Sequence, residues 1–252
     1  MRTIGGIKLN HLEKSYRVSG ETHPVFHRLS LELDSGEITV VLGKSGCGKT
    51  TLLRILAGLE ERNGGEIAFE AEEKLGIVFQ EPRLMPWLNV RDNILFGLPK
   101  KERTDSRAGE LLKLTGLEGF ERARPAQLSG GMKQRAALAR ALACRPTWLL
   151  MDEPFAALDP FTREAMQKEL LRICGERPVG VLFVTHSIDE ALTLGDRILI
   201  LGNGGLLGEC FADKAAGGKA AHSNERNLLS PEMIRLRTEI MRTMEGSDRK
   251  VD

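Results

Sequence analysis

A chain of 252 residues with 41% apolar and 28% charged side chains has room for one large α/β core, and its apolar content excludes disorder as the default. Lysine plus arginine (36) nearly cancel aspartate plus glutamate (35), and a net charge of +1 argues against a strongly basic nucleic-acid binder. No apolar run reaches the roughly 18 residues of a membrane span, no signal-peptide core follows Met1, and Cys47, Cys144, Cys174 and Cys210 are too scattered for a zinc site or disulfide frame.

Residues 1–40 alternate apolar and polar side chains, as in Ile7-Lys8-Leu9 and Leu29-Ser30-Leu31-Glu32-Leu33, the pattern of an antiparallel sheet with one wet face. The later apolar runs are short and continuous: Ile38 to Leu42, Leu75 to Phe79, Trp148 to Met151, Val181 to Val184 and Ile198 to Leu201. Rich in Val, Ile and Leu, they predict parallel strands buried on both faces. Helical patterns lie between them. Lys49 to Ala57 closes on Gly58, Met132 to Ala143 stops before Pro146, and Phe161 to Cys174 follows Pro160. The predicted fold is α/β, with a mostly parallel core and an antiparallel β part in residues 1–81 and 146–205. A helical lobe is inserted over 82–145, and 206–252 reads as an irregular Gly-, Ala- and Lys-rich segment ending in an amphipathic helix after Pro231.

Gly43-Lys44-Ser45-Gly46-Cys47-Gly48-Lys49-Thr50, followed by Thr51, fits the phosphate-binding pattern G-x-x-x-x-G-K-[ST]. The glycines let backbone N–H groups turn inward around phosphate oxygens. Lys49 reaches the β and γ phosphates, Thr50 offers a hydroxyl to Mg²⁺, and the following helix points its positive end at the anion. An apolar strand before the loop and a helix after it supply the context of a P-loop nucleotide-binding core. The loop does not distinguish kinases, GTPases, helicases and transport ATPases.

Other strands end in groups that phosphate chemistry uses: Gln80 after Leu75–Phe79, Asp152-Glu153 after Trp148–Met151, and His186 after Val181–Thr185. In an open parallel sheet such ends converge on one crevice. Asp152 suits the Mg²⁺ shell, Glu153 suits polarisation of an attacking water, Gln80 can bridge metal and water, and His186 can hydrogen-bond a γ-phosphate. Leu128-Ser129-Gly130-Gly131-Met132-Lys133-Gln134-Arg135 adds a capped, Gly-rich helix start, a second anion site that a partner molecule can use.

That segment, with Asp152-Glu153-Pro154 beyond it, resembles the signature of ABC (ATP-binding-cassette) ATPases. On the same resemblance Gly43 to Thr51 is the Walker A loop, Gln80 the Q-loop residue, and Trp148 to Asp152 the Walker B strand. Glu153 is the catalytic glutamate, Ala157-Leu158-Asp159 the D-loop, and His186 the switch histidine. Tyr16 falls where the family stacks an aromatic ring on adenine, its alternative being an ordinary sheet residue. The resemblance implies a head-to-tail homodimer with ATP between one subunit's Walker A loop and the partner's Ser129, Gly130 and Gly131. Lys44 stands where proline is common, and Ala156 where Gly or Ser is usual.

Glu81-Pro82-Arg83-Leu84-Met85-Pro86-Trp87-Leu88-Asn89-Val90-Arg91-Asp92-Asn93 and Asp152 to Phe155 resemble importers of the nitrate, taurine and aliphatic sulfonate group. This implies an ATPase, peripheral on the cytoplasmic face of the membrane, that works with integral permease subunits and, through them, a periplasmic or surface solute-binding protein. Leu84, Met85, Trp87 and Leu88 either receive a helix of the permease or form the lobe's small core. The alternatives are an exporter's nucleotide-binding subunit and a non-transport ABC ATPase. The latter is disfavoured because the stretch between Lys49 and Ser129 is too short for a long coiled-coil arm.

Overall fold

The computed structural model describes residues 5–70, 73–176, 179–212 and 226–246. The alternating N-terminal segments form β1 (Ile7–Val18) and β2 (Glu21–Leu33), paired antiparallel. Their connection, Ser19-Gly20, has positive φ at both residues (54° and 90°), matching the twist of a tight hairpin. After β3 (Ile38–Gly43) and helix α1 (Lys49–Leu56), strand β4 (Gly64–Phe69) joins β1 to complete a three-stranded sheet in the order β2-β1-β4.

The second sheet contains β5 (Leu75–Val78), β6 (Trp148–Asp152), β7 (Gly180–Thr185), β8 (Arg197–Gly202) and β9 (Gly205–Phe211) in the order β5-β6-β7-β3-β8-β9. All neighbours are parallel except β8 and β9. β3, β6 and β7 are buried at every position, which is why they read as unbroken apolar runs. Successive side chains still point to opposite faces. Val40, Met151 and Phe183 join the core beneath the helices, while Val41, Leu150 and Val184 pack with Leu52, Leu53 and Leu56 of α1 and with Leu9, Phe26 and Leu31 of the antiparallel sheet.

Residues 90–143 carry α2 (Val90–Leu95), α3 (Asp105–Leu114) and α4 (Gly130–Ala143), with α2 and α3 both packed on α4. Further on come α5 (Pro160–Glu176), α6 (Ile188–Leu194) and α7 (Pro231–Gly246). Of the four apolar residues before α2, Leu84 packs on the core whereas Trp87 is 67% exposed. The core reading therefore holds for Leu84 and not for Trp87.

Two expectations fail in detail. Residues 206–211, read as irregular, belong to β9, antiparallel to β8. The turn Asn203-Gly204, with φ of 47° and 80°, folds the chain back so that the β8 edge is paired. The remainder of the Gly-, Ala- and Lys-rich stretch, 213–225, lies outside the described residues. β5 also stops at Val78, because the Phe79 carbonyl accepts a hydrogen bond from Gln134 Nε2 of α4 (3.0 Å) in place of a strand partner.

Candidate active site

The phosphate loop begins where β3 leaves the sheet between β7 and β8. Its root has no room for a side chain: a Cβ on Gly43 would lie 2.6 Å from the Leu201 carbonyl oxygen. At its far end Gly48 adopts φ 102°, a left-handed conformation that swings the chain into α1. α2, α3, α4 and α6 are capped by the side chains of Asn89, Thr104, Ser129 and Ser187. Asp159 Oδ1 and Ser230 Oγ likewise accept from the first turns of α5 and α7. α1 has no side-chain cap. Its first turn and the positive end of its dipole therefore face a cleft with no side-chain cap from the N-cap residue, the arrangement that takes a phosphate.

That cleft, of about 460 Å³, is lined by Tyr16, Val25, Ser45, Gly46, Gly48, Lys49, Thr50, Thr51, Gln80 and Glu153. Lys49 is 5% exposed, and its ammonium donates to the carbonyls of Gly43 (2.8 Å) and Lys44 (2.9 Å). Thr50 Oγ1 donates to Asp152 Oδ1 (2.9 Å), which places a hydroxyl and a carboxylate side by side at the end of β6. The Tyr16 hydroxyl lies 3.4 Å from Thr51 Oγ1, and the Lys14 ammonium sits 4.6 Å from the Tyr16 ring centre. Val25 is a wall residue that sequence reasoning missed, since nothing marks it among the alternating residues of β2.

Glu153 is a non-glycine residue with φ 42°. Its N–H is held by the Val184 carbonyl at 2.9 Å, and its Oε2 meets Nδ1 of His186 at 3.0 Å. An ionised Glu153 accepts from Nδ1–H and thereby selects the ring tautomer. His186 is 60% exposed and so has room to turn, whereas Glu153 is 19% exposed.

Burial pushes the Asp152 carboxyl above its ordinary pKa, opposed by the Thr50 hydrogen bond and reinforced by the charge of Glu153. A raised folded-state pKa means that this group's contribution to stability is present at low pH and lost as pH rises through that value. At neutral pH the bare carboxylate is therefore destabilising. Asp152→Asn is expected to raise the melting temperature of the nucleotide-free protein while removing Mg²⁺-dependent ATP turnover. An unchanged or lower melting temperature, read by calorimetry at pH 7, contradicts this.

The structure does not bring every candidate into the cleft. The Cys47 thiol packs against Gly43 and lies 4.0 Å from the Lys49 ammonium, and Cys47 lines an adjoining cavity with Pro24, Leu201 and Leu207. Burial raises its pKa, so the thiol is protonated at neutral pH. Gly43, Lys44, Asp152 and His186 also lie outside the cleft wall, Asp152 and His186 reaching it through Thr50 and Glu153, and Ser129, Gly130, Gly131 and Asp159 are absent from it. Ser129 caps α4 by accepting from the Met132 N–H (3.2 Å) and is solvent-exposed with Gly130. Gly131 packs tightly on Thr162 of α5, where an added Cβ would approach Thr162 Cγ2 to 2.8 Å.

Residues 26–156 match the family model for ABC transporters. An uncharacterised ABC transporter ATP-binding protein of Methanocaldococcus jannaschii is 47% identical over 206 residues, 77% of each chain. The aliphatic sulfonates import ATP-binding protein SsuB 1 of Pseudomonas syringae pv. syringae is 49% identical over 180 residues, 71% of this chain and 75% of that protein. Among solved structures, the dimeric post-hydrolysis state of the ATP-binding cassette MJ0796 bound to ADP and Pi superposes with a TM-score of 0.73. It is 33% identical and covers 82% of this chain and 98% of that one. The chain belongs to the ABC transporter family, as an ATP-binding and ATP-hydrolysing subunit.

Proposed function

We propose that this subunit powers uptake of a small sulfonate or a related anion, bound to permease subunits on the cytoplasmic face of the membrane. The observation that carries the catalytic part is the uncapped α1 N-terminus facing one cleft with Lys49, Thr50, Gln80 and Glu153. The backbone of Gly43 to Thr50 cradles the phosphates of ATP, Lys49 supplies a fixed positive charge, and Tyr16 offers its ring to adenine. Thr50, Asp152 and Gln80 suit Mg²⁺. The described residues contain no cluster of three His, Cys, Asp or Glu, and Mg²⁺ is commonly held by one carboxylate, a hydroxyl and substrate phosphates. When bound, the ion would neutralise charge developing on the phosphate oxygens.

Glu153 acts as general base toward the attacking water. In the arrangement described its carboxylate is engaged by His186, so a γ-phosphate that draws the ring away also frees the base. Ser129, Gly130 and Gly131 complete the site of a second copy, which the similarity to dimeric cassettes supports. Exposed Trp87 offers an apolar anchor for the permease. Relatives named as sulfonate import proteins support the substrate class.

The experiment is reconstitution with the permease and solute-binding protein of a sulfonate importer in proteoliposomes. Mg-ATP inside and a labelled alkanesulfonate outside should give uptake that a Lys49→Ala subunit abolishes. ATP turnover without uptake of sulfonate, taurine or nitrate would discard the substrate class and leave the ATPase standing.

A further inference from the structure

Glu153 and His186 are tied together a second time through residues that do not line the cleft. Arg163, on the first turn of α5, spans the chain just before Asp159. Its NH2 group donates to the Leu158 carbonyl (2.9 Å) and its Nε to that of Phe155 (3.3 Å). The same Nε lies 3.8 Å from Oε1 of Glu190, a carboxylate on α6 that is only 6% exposed. The other oxygen of Glu190 accepts the Thr185 hydroxyl. Thr185 Oγ1 accepts the Ser187 N–H at 3.0 Å, and Ser187 Oγ accepts the Glu190 N–H at 3.3 Å.

Thr185, before His186, thus bonds one buried carboxylate directly, and Ser187, after it, is tied to Thr185 and to the backbone of Glu190. That carboxylate faces the guanidinium that holds the turn after Glu153. With the 3.0 Å contact between Glu153 and His186, the contacts close into a ring. A carboxylate this buried is costly unless paired, and with Arg163 37% exposed the ion pair adds little stability, so its use is better sought in geometry. Glu153 needs that support, because its φ of 42° is held only by its surroundings.

We propose that Arg163 and Glu190 are a positioning couple that keeps the loop after Glu153 and the His186 turn in a common register, so that base and histidine reach the γ-phosphate together. The inference rests on the ATPase reading of the site. Neither residue touches ATP, so the couple acts on kcat and not on ATP affinity.

The test is steady-state turnover and equilibrium binding of a fluorescent ATP analogue by Arg163→Met, Glu190→Gln and the double variant. Arg163→Met keeps the unbranched stem of the side chain and removes its donors, and Glu190→Gln keeps an acceptor for Thr185. Each single change should lower kcat about ten- to hundredfold, the range reached when a catalytic group is misplaced by about 1 Å. KM and analogue affinity should stay within about twofold of wild type. The double variant should be no slower than the worse single one, because both changes break the same link. A wild-type kcat in Arg163→Met, an equal loss in KM, or losses that multiply would overturn the couple. If Glu190→Gln fails to fold, the split between kcat and KM in Arg163→Met decides alone. Wild type and Glu153→Gln serve as controls. An inert wild type removes the underlying ATPase reading, whereas an active one silenced by Glu153→Gln keeps that reading and lets Arg163→Met decide the couple.

Discussion

Glu153→Gln is expected to bind ATP like the wild type and to hydrolyse it more slowly by a factor of about 10²–10⁴, the usual loss on removing a general base. The amide is isosteric and fits the same left-handed backbone position, held by the Val184 carbonyl, so the fold has no reason to change. It remains within reach of His186 Nδ1 but is too weak a base to take a proton from water. Because chemistry is slowed and binding is not, the variant should accumulate as an ATP-loaded dimer visible by light scattering. Turnover within a few-fold of wild type would remove Glu153 from the mechanism and turn attention to Gln80 and His186.

The second large effect is expected at Ser129. Asp is as good a helix cap as Ser and adds a favourable charge at the positive end of α4, so Ser129→Asp should leave the melting temperature unchanged or raise it. In the shared site the same carboxylate would face the partner's triphosphate, and like charges drive the two apart. ATP-induced dimers should disappear and turnover should fall by about 10² or more, as for loss of a phosphate-stabilising donor, while monomeric binding of ATP persists. A variant that still dimerises with ATP would show that Ser129 lies away from the phosphates. The opposite signs expected for stability and assembly keep this result from being mistaken for misfolding.

Much of this architecture was legible because its strands are extreme cases. β3, β6 and β7 are sealed on both faces and announce themselves as apolar runs. Since the candidate side chains come at the ends of such runs, finding the strands amounted to proposing Gln80, Asp152, Glu153 and His186. β9 escaped for the opposite reason. It is an edge strand with one exposed face, and Gly205 and Gly208 dilute its alternation, so its pairing with β8 outweighs a composition typical of loops. Arg163 and Glu190 were also unreadable. Charged residues on helices ordinarily face solvent, and no spacing rule connects positions on two different helices. The direction of the Cys47 thiol depended on the turn geometry of its loop, which the motif leaves open for that position.

The place of β3 in the middle of its sheet has a consequence for biosynthesis. Both of its neighbours, β7 and β8, are made long after it, so the nucleotide loop emerges from the ribosome with neither flank in place. Until residues 180–202 arrive, β3 presents two bare edges and an apolar surface, the condition in which nascent chains aggregate or recruit chaperones. Translation arrested before β7 should therefore yield a product that contains the whole phosphate-binding motif and yet does not retain ATP.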